Sequence, residues 1–183
     1  MLDKVASILN QKAPGAVLEA IAVPEDDRLR IGRAHIRKVC EILKSDPELD
    51  FKMLTDLTAV DYLGQDERFE VVYQLYSLSK NYRLRLKVRV PENEPLDSVS
   101  AVWRVANPFE REIFDMFGVR FAGHPNLKRI LMYDEFEGHP LRKDYPLKKC
   151  HPIVPLRWPI EPKDDPPYNW TTWQARRKLR LDD

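Results

Sequence analysis

The sequence predicts an α+β fold: a small antiparallel sheet with helices packed on one face, followed by a long Pro-rich extended C-terminal tail. Three observations carry that prediction. The segment "YRLRLKVRV" alternates without a break, with Leu84, Leu86, Val88 and Val90 on one side and Arg83, Arg85, Lys87 and Arg89 on the other. That is the period of a strand with one buried face. The segment "GRAHIRKVCEILKSDP" instead spaces Ile36, Val39, Ile42 and Leu43 as one face of a helix, with Pro47 soon after its end. Composition then changes at about residue 138: of the 15 prolines, eight lie between Pro140 and Pro167. Prolines that frequent forbid a helix and favour extended backbone. The expected division is an α+β domain over residues 1–137 and a Pro/Trp-rich tail over 138–183.

The remaining elements follow in order. "MLDKVASILNQKAPG" reads as a short helix; with no apolar core and no small-residue cleavage site, it fits a mature protein of cytoplasmic type. "AVLEAIAVPEDDRLRI" reads as two short strands around an acidic turn. "FKMLTDLTAVDYL" and "RFEVVYQLYSL" are β-rich, and "SLSKN" is the expected hairpin turn into "YRLRLKVRV". "PLDSVSAVWRVANPFEREIFDMFG" suggests two helices. Asp97 or Ser98 would cap the first. Asn107 would cap the second, with Pro108 at its first position, Gly118 closing it, and Phe109, Ile113, Met116 and Phe117 facing the core. The tail holds Tyr145, Tyr168 and three of the chain's four tryptophans, Trp158, Trp170 and Trp173. So aromatic a segment needs a surface, either its own domain or a partner. "WQARRKLRLDD" could form a short helix on binding.

The totals exclude several classes. A chain of 183 residues with 43% hydrophobic and 32% charged residues is globular rather than disordered. A net charge of +1 argues against strong unspecific attraction to nucleic acid or anionic lipid. No run reaches the ~18 apolar residues of a membrane span, so membrane attachment is expected only through partners. The two cysteines, Cys40 and Cys150, suggest a reducing compartment and cannot alone ligate an iron–sulfur cluster or a structural zinc. The basic row on "YRLRLKVRV" reads as a solvated sheet face with acidic cross-strand neighbours such as Glu70; no aromatics interleave it as a nucleic-acid groove would require.

Residues 107–147, "NPFEREIFDMFGVRFAGHPNLKRILMYDEFEGHPLRKDYPL", concentrate charge and two copies of Gly-His-Pro. Glu110 and Glu112 fall in the first turn of the helix, where negative charge is favoured. Asp115 falls in the last turn, where it is not, so it calls for a cation: Arg111 at i,i−4 or one from elsewhere. Glu112 and Asp115 could ligate a metal only with a matching pair on a second helix, and the sequence offers none. His124 and His139 sit in turns, where ring nitrogens commonly order a loop through backbone or carboxylate groups. Arg142, Lys143 and Asp144 are expected to pair among themselves. Cys150 and His151 are adjacent and seldom would face each other as nucleophile and base. There is no nucleotide-binding glycine loop. The residues thus describe one member of a larger assembly better than a free-standing enzyme. Two other classes stay open: a metal-dependent enzyme using His124, His139 and His151, and a nucleic-acid module using Arg83–Arg89 and Arg176–Arg180.

The same stretch resembles a known family. Glu110, Arg111, Glu112, Asp115, Met116, Phe117, His124, Lys128, Ile130 and Leu131 match position by position the signature of the 30-kilodalton-type subunit (the C subunit) of proton-pumping NADH:quinone oxidoreductase, respiratory complex I. "GHPLRKDYPL", which supplies Gly138, His139, Pro140, Arg142, Lys143 and Asp144, and "DLTAVDYLG", Asp56–Gly64, are similar to the family too. The resemblance covers roughly residues 30 to 150. One departure is Pro108-Phe109, where the family often has Trp nearby. The resemblance implies a peripheral-arm subunit near the quinone-reducing end, on the cytoplasmic, matrix or stromal side. It implies docking on the large quinone-site subunit of D type and on cluster-bearing subunits of B and I type. No catalytic, metal or cofactor-binding residue is implied in this chain; FMN, iron–sulfur clusters and quinone would belong to the assembled complex. The signature residues would then be structural, directing the tail toward its partners. Plastoquinone-, ferredoxin-, coenzyme F420- and hydrogenase-linked relatives have similar subunits, so the electron donor stays open.

Overall fold

The computed structural model describes residues 1–24 and 27–148. Helix α1, Leu2–Lys12, buries Leu2, Val5 and Leu9. Strands β1, Val17–Ile21, and β2, Arg28–Ile31, form an antiparallel pair. A short 3₁₀ turn, Arg33–His35, leads into α2, Ile36–Ser45. The face of α2 spaced for burial is the one buried: Ile36, Val39 and Leu43, joined by Cys40, with Ile42 partly covered.

Strands β3, Met53–Asp61, β4, Phe69–Ser77, and β5, Tyr82–Val90, make an antiparallel meander. The alternation of β5 is realised: Leu84, Leu86, Val88 and Val90 are buried, and its basic residues lie on the opposite face. The β4–β5 turn is tight enough to hold Asn81 at φ 48°, where the Tyr76 hydroxyl donates to its side-chain oxygen at 2.8 Å.

The sheet order is β1-β2-β5-β4-β3. The fold is α+β as expected, but the sheet is not wholly antiparallel, because β2 and β5 run parallel. A parallel neighbour requires a long crossover. Here α2 and the β3–β4 hairpin supply it, returning the chain beside β2 in the same direction.

The segment before the last helix also departs from expectation. Asp97 and Ser98 do not cap a helix. Leu96–Asp97 instead form a two-residue strand, β6, parallel to β7, Phe121–Ala122. Helix α3 is Ala106–Phe117, with Val105 rather than Asn107 at its N-cap. Asn107 and Pro108 lie inside the first turn, where the missing proline N–H has no intrahelical partner to lose. Gly118 closes α3 at φ 79°, as expected of a left-handed cap. Ile113, Met116 and Phe117 enter the core and Phe109 is partly covered. One hydrophobic cluster runs from α1 through the inner sheet face to α3 and β7.

Residues 138–148 belong to the same compact unit, Met1–Lys149. The expected tail contacts, including those of Cys150, His151 and the three late tryptophans, lie outside the described residues.

Candidate functional site

Two buried carboxylates on α3 organise the signature, and each does so differently. Asp115 is fully buried. Its Oδ2 accepts three consecutive backbone N–H groups, from Ile130 at 3.0 Å, Leu131 at 2.8 Å and Met132 at 2.8 Å. Its Oδ1 accepts from the Arg129 guanidinium at 2.7 Å. Burial alone would push the Asp115 carboxyl up; the three N–H groups and Arg129 outweigh it and hold the carboxyl below the usual range. The cation that Asp115 needed therefore comes from elsewhere. Arg111 does not serve it. Arg111 donates instead to the carbonyls of Lys128 at 3.1 Å and Arg129 at 2.9 Å, gripping the same loop from the other side.

Arg129 extends the network by donating to the Gly138 carbonyl at 2.9 Å and lying over the Phe136 ring. Phe136 stacks on Tyr145 at 5.9 Å and meets Tyr133 edge-on at 5.5 Å, giving the loop a small aromatic core. His139 Nδ1 donates to the Asp115 carbonyl at 2.9 Å, and the ring packs edge-on against Phe114. Burial, with help from the charges of Arg142 and Arg129, holds the His139 ring below its ordinary pKa, so the neutral form is favoured. The Leu141 N–H donates to the Met116 carbonyl at 3.1 Å. Gly118 sits at a crowded point of this junction: a Cβ there would lie 2.5 Å from Arg142 Nη2 and 2.6 Å from His139 Nε2, so one or both side chains would have to move.

Glu110 is also fully buried, yet no cation neutralises it among the described residues. Its Oε1 accepts the Val99 N–H at 2.7 Å and its Oε2 accepts the Ser98 hydroxyl at 2.6 Å. Ser98, read as a helix cap, thus fastens β6 to α3 through Glu110. Burial pushes the Glu110 carboxyl up to about 7 against the opposing pull of Ser98 and Val99. His124 Nε2 lies 3.9 Å from Glu110 but donates to the Asn107 carbonyl at 3.2 Å. The Asn126 N–H donates to His124 Nδ1 at 3.1 Å, which fixes the tautomer. Both Gly-His-Pro histidines are therefore occupied by backbone, the loop-ordering role.

Glu112 parts company with its neighbours. It faces solvent and has no hydrogen bond or ion pair among the described residues. Lys128 is exposed, as are Ile130 at 40% and Leu131 at 60%. Met116 and Phe117 are core, and Pro140 is half-buried.

A second hub was not legible in the sequence. Arg68, immediately before β4, is buried and chelates two carboxylates. It meets Asp61 through Nε and Nη2, both at 2.9 Å, and Asp144 through Nη1 at 3.1 Å and Nη2 at 2.8 Å. Glu92 accepts from Arg68 at 3.1 Å and from Arg142 at 2.8 Å. Arg142 also donates to the Phe117 carbonyl at 2.6 Å, and the Lys143 N–H donates to Asp61 at 2.8 Å. Arg142, Lys143 and Asp144 therefore do not pair with one another; each ties the segment to the sheet or to α3. Pairing within the segment fails as an expectation because Arg68 and Glu92, distant in sequence, offer better-placed partners. The one available signal was Asp61 inside the "DLTAVDYLG" match.

Among the described residues no group of three or more His, Cys, Asp or Glu side chains converges as a metal site, and no helix is long and apolar enough to cross a membrane. The geometry defines an α+β domain in which most of the signature's polar groups, the side chains of Glu112, Lys128 and Lys143 aside, are spent on internal fastening. The chain belongs to the family of the respiratory-chain NADH dehydrogenase 30 kDa subunit, which it matches over residues 29–151. The NADH-quinone oxidoreductase C subunit of Geobacter metallireducens is 48% identical over 142 residues, covering 76% of this chain and 86% of that protein. The counterpart from Geobacter sulfurreducens is 46% identical over 142 residues with the same coverage, 76% and 86%. That of Xanthobacter autotrophicus is 43% identical over 145 residues, covering 79% of this chain and 69% of its own. A chain in the structure of the membrane-bound sulfane sulfur reductase, an archaeal respiratory membrane complex, has the same fold, with a TM-score of 0.66 at 24% identity, covering 80% of this chain and 86% of that one.

Proposed function

We propose that this chain is a cofactor-free peripheral-arm subunit of an NADH:quinone oxidoreductase, complex I, which couples electron transfer from NADH to quinone with proton translocation. Its share is assembly and the positioning of the quinone-site module. The observation that supports this best is Asp115: a buried carboxylate spends every contact on backbone N–H groups and Arg129, leaving nothing for substrate. What it fixes is a loop that carries Ile130 and Leu131 outward. With Leu141, 55% exposed, and the unpaired Glu112, this loop offers a rigid, partly apolar surface whose ordering cost is met before docking. The partner is the large quinone-site subunit of D type, with cluster-bearing subunits of B and I type beyond it. FMN, iron–sulfur clusters and quinone belong to the assembled complex and not to this chain. The Pro/Trp-rich tail of residues 138–183 extends the docking, its three tryptophans being suited to interface anchors.

The test is gentle affinity purification of the full chain from detergent-solubilised source membranes, with mass spectrometry of what is retained. Recovery of flavin-binding, iron–sulfur and integral membrane subunits is expected, and the donor subunit identifies the complex. A chain recovered alone and monomeric would overturn the reading.

A further inference from the structure

Glu110 lies where several segments meet, and each gives it a different kind of neighbour. From β6 and the residue after it come the Ser98 hydroxyl and the Val99 N–H, bonded to its two oxygens. From the segment after β7 comes His124, whose Nε2 is 3.9 Å from Oε2, both side chains being fully shielded from solvent. From the core side come Cys40 of α2 and Tyr73 of β4; burial first, and then neighbouring negative charge that includes Glu110, keeps the thiol and the phenol protonated. Asp97 of β6 acts on the same phenol. On α3 itself, Arg111 is turned to the carbonyls of Lys128 and Arg129. None of these groups brings positive charge to an ionised Glu110.

His124 brings a proton instead. The Asn126 N–H occupies Nδ1 at 3.1 Å, so the ring proton sits on Nε2. That proton has two acceptors within reach. It goes to the Asn107 carbonyl at 3.2 Å. Asn107 lies in α3, so its carbonyl keeps the helical N–H four residues on, with or without His124. An ionised Glu110 has no such alternative, and a hydrogen bond to a charged acceptor is roughly twice as strong as one between neutral groups. Closing the 3.9 Å separation to an ordinary bond moves Nε2 by about 1 Å. Gly123, at φ 75° with open space where a Cβ would lie, leaves the segment room to follow. The departing proton has a route as well. Ser98 Oγ lies 2.6 Å from Glu110 Oε2 and 2.7 Å from Ser100 Oγ, and Ser100 lines a surface groove with Arg104, Asn107, Gly123 and Pro125.

We propose that Glu110 and His124 form a proton-operated latch: with Glu110 protonated, His124 Nε2–H donates to the Asn107 carbonyl, and with Glu110 ionised, it turns to the carboxylate. Loss of the proton draws residues 123–125 toward Glu110 and reshapes the groove they share with Ser100 and Arg104. The two arrangements differ by one hydrogen bond at one buried charge, the form a protonation switch takes. Burial pushes the Glu110 carboxyl up to about 7, so the Asn107 arrangement prevails below that pH and the Glu110 arrangement above it. The latch is a property of the chain itself and does not rest on the function proposed above.

The test is an NMR titration of the purified full-length chain, labelled with carbon-13 and nitrogen-15, from pH 5 to pH 9. The Glu110 carboxyl carbon, the His124 Nε2–H and the Asn107 carbonyl carbon are followed together. All three are expected to shift with one midpoint near 7, with His124 Nδ1 unprotonated throughout. In Glu110→Gln, with folding checked by circular dichroism, the His124 and Asn107 shifts are expected to be lost. A Glu110 carbon that titrates while His124 and Asn107 stay unmoved overturns the latch, and that result needs only the wild-type chain. So does a Glu110 carbon that does not titrate in this range, or a His124 shift that survives in the variant. Protonation of His124 Nδ1 at the shared midpoint also overturns it, since the two side chains would then be an ordinary ion pair.

Discussion

Replacing Glu110 with glutamine makes a direct test of what a buried, uncompensated carboxylate does to this fold. The perturbation is nearly isosteric: the amide oxygen can still accept from the Val99 N–H, and the Ser98 hydroxyl can accept from the amide nitrogen in place of donating to Oε2. Burial raises the Glu110 pKa from an ordinary 4.5 to about 7. Between those values the native chain holds a proton that the unfolded chain has released. The stabilisation of the protonated form is complete below pH 4.5 and is lost as pH rises through about 7. A rise of that size corresponds to about 3 kcal/mol. The His139 ring, with its lowered pKa, contributes the opposite slope, but it does so equally in wild type and variant and cancels in their difference. The assay is urea unfolding of both chains at pH 5 and pH 8, followed by far-ultraviolet circular dichroism. Glu110→Gln should match wild type within ~1 kcal/mol at pH 5 and exceed it by up to about 3 kcal/mol at pH 8. A difference that does not change with pH would refute the claim that Glu110 is buried without a counter-charge.

Gly118→Ala should destabilise the chain by about 2–5 kcal/mol: about 1–2 for a left-handed non-glycine residue and about 1–3 for displacing His139 and Arg142. A shift in urea midpoint equivalent to under 1 kcal/mol would show that this junction yields freely. At the second hub, Arg68→Met strands the buried Asp61 and should cost about 3–5 kcal/mol. Asp144→Asn, whose side chain is 47% exposed, should cost under about 1 kcal/mol in the same assay. The reverse order would place the weight of the hub on Asp144.

Local signals carried much of this fold. The alternation of β5, the helical spacing of α2, the Asn81 turn and the Gly118 cap each lie within a few residues and depend on backbone sterics or a single buried face. What escaped was set by distance along the chain. The parallel β2–β5 pairing joins segments separated by α2 and a hairpin, and nothing in "RLRI" announces its neighbour. Ser98 is a good helix cap in isolation; Glu110, twelve residues on, claims its hydroxyl and a strand forms instead. The need of Asp115 for a cation was readable from the helix dipole, but choosing Arg129 over Arg111 required knowing that the loop folds back over α3. Arg68 carried no local mark, since its partners lie in three separate segments.

If the signature builds and presents an interface and performs no chemistry, Asp115→Ala in place of the native copy separates the two roles most directly. The quantity of assembled membrane complex and its NADH:quinone turnover are measured on the same preparation. A severalfold fall in assembled complex is expected, with turnover per remaining complex close to wild type. Normal assembly with turnover abolished would contradict this and give Asp115 a role in the reaction.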